Sequence, residues 1–125
     1  KAVPDQVAVA FVEASRRYPE VRRWALHAHD TYGLGLSNVW SAWQNGVRVF
    51  DASFAGLGGC PYAPGATGNV ATEDVVWMFD RMGISSGIDL AALVSVAEDG
   101  AMIPGGQPGG RVRAAVGSPC RLVQE

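Results

Sequence analysis

Two short apolar stretches, residues 23–29 and 47–54, flank a segment with helical spacing of its apolar residues. The pair Asn45–Gly46 ends that helix, because Asn and Gly favour the backbone turn that follows a helix. Strands joined by a helical crossover run parallel. A parallel pair must be covered on both faces and needs neighbouring strands, and no third strand is evident in the sequence. The sequence therefore predicts an α/β fold that forms part of a larger parallel sheet or barrel.

Three further helices are predicted from apolar residues at helical spacing. The first covers residues 3–17, the second ends at Gly83, and the third is capped by Asp89 and ends at Gly100. Residues 101–125 are rich in Gly, Pro and Arg, a composition typical of a flexible tail.

Length and composition favour one globular domain, predicted over residues 1–100 and followed by the tail. The 125 residues are 48% hydrophobic and 18% charged, which is enough apolar material for a core. A net charge of -2 without a basic stripe argues against nucleic-acid binding. No apolar run reaches the roughly 18 residues that span a bilayer, so no membrane contact is expected. The two cysteines make no disulfide framework, and with no signal peptide visible we expect a cytoplasmic protein.

The only two histidines, His27 and His29, lie two residues apart at the end of the first predicted strand. A strand turns successive side chains to opposite faces, so both imidazoles should lie on one face. Two imidazoles at the carboxyl end of a parallel strand form half of a metal site. The alternative is a pair of surface or core histidines without a ligand.

A glycine-rich loop, residues 55–68, follows the second strand and contains Cys60. Loops of this length within a compact domain are usually functional or disordered. A thiol in a flexible loop can approach a ligand and retreat, which suits a reactive cysteine. The alternative is an incidental small residue in a turn.

Polar residues near the third helix have simpler interpretations. On position alone, Asn69 is interpreted first as a helix N-cap, although its amide oxygen suits a hard metal ion. Glu73 and Asp74 are interpreted as solvated charges that complement the helix dipole. Asp51 and Ser53 end the second strand, where they can support a metal ligand.

Three segments of this region resemble the C-terminal part of the 3-hydroxy-3-methylglutaryl-CoA (HMG-CoA) lyases. They are HAHDTYG at 27–33, DASFAGLGGCPYAPG at 51–65 and GNVATED at 68–74. The similarity is continuous over roughly residues 20–95. The loop sequence GLGGCPYAPGATGN separates these lyases from the isopropylmalate and homocitrate synthases, which share the His-x-His strand.

The resemblance implies a fold and a reaction. The fold is a TIM (β/α)8 barrel, of which this chain is the C-terminal part, with the last two strands and their helices. The reaction is the cleavage of HMG-CoA to acetyl-CoA and acetoacetate, a step of leucine degradation, with Mg²⁺ or Mn²⁺ as the cofactor. His27, His29 and Asn69 are implied metal ligands, which replaces the capping role for Asn69. Cys60 is the implied catalytic cysteine, and Cys60 or His27 is expected to take part in proton transfer.

The resemblance covers only part of the family's length. Lys1 stands about where the helix after the sixth strand begins, and no initiator methionine precedes it, which suggests a piece of a longer barrel. The family's first strand, which carries an Arg-Asp pair, has no counterpart here. Two alternatives follow: a lyase for a related 3-hydroxy-acyl-CoA, or an inactive fragment that needs the missing N-terminal part. The expected partners are an acyl-CoA substrate and either further copies of the chain or that N-terminal part.

Overall fold

The structure, a computed structural model, describes residues 2–59 and 68–117. Its helices and strands up to residue 101 come in the predicted order. The described elements are α1 (Pro4–Arg17), β1 (Ala25–His27), α2 (Gly35–Gln44), β2 (Val49–Asp51), α3 (Thr72–Arg81), α4 (Leu90–Ala101) and α5 (Arg111–Gly117), with 3-10 turns at Thr31–Gly33 and Phe54–Gly56. Within the described residues, no helix has both the length and the apolar character needed to cross a bilayer.

The two strands of the described sheet, β1 and β2, pair in parallel, as predicted from the helix between them. Ala25 lies opposite Val49, and His27 lies opposite Asp51. Both strands are shorter than the apolar stretches that predicted them. Beyond the carboxyl ends of the strands, His29 and Ser53 each pair with a third segment rather than with the neighbouring strand.

That third segment, residues 68–72, crosses the carboxyl ends of both strands. His29 forms an antiparallel bridge with Asn69, and Ser53 forms a parallel bridge with Ala71. Backbone hydrogen bonds of 2.9 to 3.1 Å hold the segment in place. The polar residues that follow the two strands are thereby gathered at one edge of the sheet.

The main core lies on one face of this sheet, under α2 and α3. The buried side chains of this core are Ala28, Val39, Val70, Val75, Met78 and Phe79. A second cluster joins α1 to α2 through Val7, Ala42 and Val47. Strand residues alternate between the two faces, so Leu26 packs on the core whereas Ala25 and His27 are exposed on the opposite face. The face that carries the histidines is therefore the open one.

The region after α4 is where the structure differs from the predicted flexible tail. Residues Arg111–Gly117 form α5. The Asp74 carboxylate accepts hydrogen bonds of 2.8 to 3.0 Å from the N–H groups of Arg111 and Val112, so it satisfies donors that the start of a helix leaves free. The local sequence did not indicate this helix, because the carboxylate that accepts its first N–H groups belongs to Asp74 on α3. Residues 118–125 lie outside the described residues.

Candidate functional site

The two histidine rings lie together on the open face of the sheet, as their spacing predicted. The ring centroids of His27 and His29 are 5.2 Å apart, with the edge of one ring towards the other. Neither side chain is in the core. Two imidazoles this close can bind one cation.

Asp51 supports His27 from the neighbouring strand. Nδ1 of His27 lies 2.9 Å from Oδ2 of Asp51, and the two side chains are 49% and 70% exposed. A carboxylate only accepts, so Nδ1 carries the proton of this hydrogen bond. In the neutral ring Nε2 then keeps its lone pair, which is the arrangement of a metal-ligating histidine with a carboxylate behind it.

Asn69 is brought to the same place by the segment that crosses the strands. It lies opposite His29 in the antiparallel bridge, and its Nδ2 donates a hydrogen bond of 2.8 Å to the Leu57 carbonyl oxygen. The N-cap of α3 is Ala71, so the capping interpretation of Asn69 was wrong. The helix begins two residues later than that interpretation requires.

Two buried polar atoms at this site fit a cation. Among the described residues, Nδ1 of His29 and Oδ1 of Asn69 have no hydrogen-bond partner. A buried polar atom without a partner costs about 1–3 kcal/mol, which a bound cation would offset. Imidazole nitrogen and amide oxygen are both ligands for divalent metals. The described residues contain no group of three or more His, Cys, Asp or Glu side chains placed to hold a metal, so the set rests on two histidines and an amide.

The glycine-rich loop passes close to this amide at Gly58. Gly58 has a φ of +109°, and a Cβ there would lie 2.8 Å from Nδ2 of Asn69. This position requires glycine, because any other residue would strain the backbone at this φ and its Cβ would collide with Asn69. Cys60, the predicted catalytic residue of the loop, lies outside the described residues.

Glu73 is a residue that sequence analysis assigned wrongly. The prediction of a solvated charge fails, because Glu73 is 0% exposed. Its Oε2 accepts a hydrogen bond of 3.1 Å from the N–H of Ala55, the residue at which the glycine-rich loop begins. Burial raises the pKa of Glu73 above its usual value, the backbone hydrogen bonds lower it, and the Asp74 charge raises it further.

Asp74 is buried as well, so its solvated-charge interpretation was also wrong. It holds the start of α5 rather than capping its own helix. The one sequence signal was two adjacent acids in the first turn of a helix. That signal is ambiguous, because their hydrogen-bond donors are 18 and 37 residues away along the chain.

Comparison with known proteins identifies the family. The family described as HMGL-like matches residues 2–99. The chain belongs to the HMGL-like family. A hydroxymethylglutaryl-CoA lyase of Pseudomonas mevalonii is 50% identical over 93 residues, 74% of this chain and 31% of the relative. A Pseudomonas aeruginosa protein named 3-hydroxy-3-isohexenylglutaryl-CoA/hydroxymethylglutaryl-CoA lyase is 42% identical over 119 residues, 90% of this chain and 40% of the relative.

The solved structures confirm the predicted fold class. The crystal structure of a Bacillus subtilis HMG-CoA lyase superposes on the chain with a TM-score of 0.85 and 42% sequence identity. The match covers 94% of this chain and 39% of that one. This HMGL-like chain is therefore part of a TIM barrel, and it spans 31% to 40% of the length of these three relatives.

Proposed function

We propose that the chain supplies the metal-holding part of a divalent-metal-dependent carbon–carbon lyase. The reaction is the cleavage of HMG-CoA to acetyl-CoA and acetoacetate. The observation that carries this proposal is the convergence of His27, His29 and Asn69 at one edge of the sheet. The names of the two relatives, both acyl-CoA lyases, support the substrate class.

His27, His29 and Asn69 are proposed to hold Mg²⁺ or Mn²⁺. The bound cation would act as a Lewis acid on substrate oxygens and orient the substrate. Asp51 fixes the orientation and tautomer of His27 through the hydrogen bond to Nδ1. The glycine at position 58 lets the loop backbone approach Asn69 closely.

The reaction requires two proton transfers. A base takes the proton of the tertiary hydroxyl group while the carbon–carbon bond breaks, and an acid protonates the enolate of acetyl-CoA that leaves. His27 and Cys60 are the candidates in this chain. A His27 ring that donates Nδ1–H to Asp51 and holds a cation through Nε2 has no nitrogen left for a proton. This arrangement favours Cys60 for one of the two transfers.

The N-terminal part of the barrel is proposed to complete the site, because the two strands that the structure describes cannot by themselves close a barrel. A related 3-hydroxy-acyl-CoA is the alternative substrate, since the Pseudomonas aeruginosa relative is named for two such compounds. A cytoplasmic location, self-association and a place in leucine degradation stay predictions from the sequence.

A chimera tests the proposed function. Residues 2–99 of this chain replace the matching segment of the Pseudomonas mevalonii lyase, and acetoacetate release from HMG-CoA is measured without metal, with Mg²⁺ and with Mn²⁺. We expect metal-dependent release, with a loss of at least about 100-fold on Cys60→Ala, in the range of a missing proton-transfer group. The substrate alternative is tested on the same chimera with 3-hydroxy-3-isohexenylglutaryl-CoA.

The matched control for Cys60→Ala is Ser86→Ala, an exposed residue of the connection between α3 and α4. This control should keep full activity. A chimera that folds, by circular dichroism and size-exclusion chromatography, but releases no acetoacetate with either metal contradicts the proposal.

A further inference from the structure

The Glu73 carboxylate has no part in the cation site, yet it is fully buried in the first turn of α3. Burial of a carboxylate is unfavourable unless its oxygens are paired. Oε2 is paired with the N–H of Ala55, whereas Oε1 has no partner among the described residues. The backbone of Ala55 is therefore what this buried group holds.

Ala55 needs such a restraint. It has a φ of +54°, a left-handed conformation that costs a residue with a side chain about 1–3 kcal/mol. Its N–H donates to Glu73, and its carbonyl oxygen accepts a hydrogen bond of 2.6 Å from the N–H of Gly109. Ala55 is thus held on both sides, by α3 and by the segment before α5. Cys60 follows five residues later along the chain.

The segment before α5 is fitted closely to Glu73. Gly110 has a φ of +86°, and a Cβ there would lie 2.6 Å from Oε1 of Glu73. Asp74 holds the next two residues through their N–H groups. The two adjacent acids of α3 therefore connect the start of the glycine-rich loop with the C-terminal segment.

We propose that Glu73 is a positioning residue, which fixes the backbone at Ala55 and thereby the point from which the Cys60 loop starts. The role in catalysis rests on the proposed function of Cys60. The restraint of the Ala55 backbone by Glu73 does not depend on that function. The restraint and the role in catalysis can therefore be tested separately.

Hydrogen exchange and thiol alkylation test this proposal on the full 125-residue chain. Cys120→Ser leaves Cys60 as the single thiol. In this background, the exchange rate of the Ala55 amide and the rate of Cys60 alkylation by iodoacetamide are measured. Glu73→Leu removes the hydrogen-bond acceptor and keeps a side chain of similar size. We expect this variant to exchange the Ala55 amide at least tenfold faster and to change the rate of Cys60 alkylation at least threefold. Glu73→Gln keeps an oxygen acceptor and should restore both rates to within about twofold of the parent.

Val76→Ala is the matched control, because Val76 is a buried residue of the same helix whose apolar side chain accepts no hydrogen bond from the Ala55 amide. It should lower the melting temperature without changing either rate. If Glu73→Leu does not fold, Gly110→Ala is used instead, since its methyl group would displace Oε1, and Gly105→Ala is its control. The proposal is overturned if the Ala55 amide exchanges freely in the parent chain. It is also overturned if a folded variant that lacks the Glu73 contact has an unchanged rate of Cys60 alkylation. Loss of lyase activity in the chimera does not affect these readouts.

Discussion

Asp51 and His27 face each other across the two parallel strands, with Oδ2 of the carboxylate 2.9 Å from Nδ1 of the ring. This pair orients one of the proposed metal ligands. Removing a carboxylate behind a ligating histidine typically lowers metal affinity about 10–100-fold. We expect Asp51→Ala to weaken Mn²⁺ binding by the chimera within that range, measured by isothermal titration calorimetry. Asp80→Ala, an exposed acid of α3, is the control, and an equal effect of both variants would show that the loss is not specific to the pair.

Asn69 is expected to contribute an oxygen ligand and to hold the loop at Leu57. Asn69→Ala removes both interactions, so it should lower Mn²⁺ affinity at least tenfold, about the effect of losing 1.4 kcal/mol. Asn45→Ala is the matched control, because Asn45 makes a comparable 2.8 Å hydrogen bond to the Ser41 carbonyl oxygen. Unchanged Mn²⁺ affinity in a folded Asn69→Ala variant would remove Asn69 from the ligand set.

The raised pKa of Glu73, caused mainly by burial, predicts a pH-dependent stability. A carboxyl group with a raised folded-state pKa binds its proton more tightly when folded. Its contribution to stability is full below the unfolded-state pKa, about 4.3, and is lost as the pH rises through the folded-state pKa. The melting temperature of Glu73→Gln relative to the parent chain should therefore increase as the pH rises from about 4.

Thermal unfolding of the chain over a pH series measures this difference. Glu98→Gln, at an exposed position of α4, is the matched control for the loss of a carboxyl group. A difference for Glu73→Gln that is flat or falls with rising pH would contradict a raised pKa.

Gly110 combines a left-handed backbone with a close contact, whereas Gly105 has only the left-handed backbone. Their φ angles are +86° and +76°, and a Cβ at Gly105 would meet no atom within 4 Å. We expect Gly105→Ala to lower the free energy of unfolding by about 1 kcal/mol and Gly110→Ala by about 2–4 kcal/mol. Urea unfolding of both variants measures the difference. Equal losses would mean that the contact with Glu73 has no energetic consequence.

The parts of the fold that follow from local patterns were predicted from the sequence. The helix between two apolar stretches implied parallel strands, and the period of two placed His27 and His29 on one face. Asp89 caps α4 as predicted, because its carboxylate accepts from N–H groups two and three residues ahead. Each of these features is decided within a few residues of the chain.

The features that were missed depend on distant groups. Glu73 is buried against Ala55, and Asp74 holds Arg111, neither of which any local pattern indicates. The helix α5 was missed for the same reason. The position of Asn69 depends on the way in which residues 68–72 cross the strand ends, and only the family resemblance suggested its proximity to His29.

The most direct measurement of the proposed metal centre is electron spin echo spectroscopy of the chimera loaded with Mn²⁺. Nitrogen nuclei bonded to the metal modulate the echo, so the signal counts ligating imidazoles. The account predicts two nitrogen couplings, of which His27→Gln and His29→Gln each remove one. A Mn²⁺-bound chimera that shows no nitrogen coupling, or keeps both couplings in either variant, would contradict it.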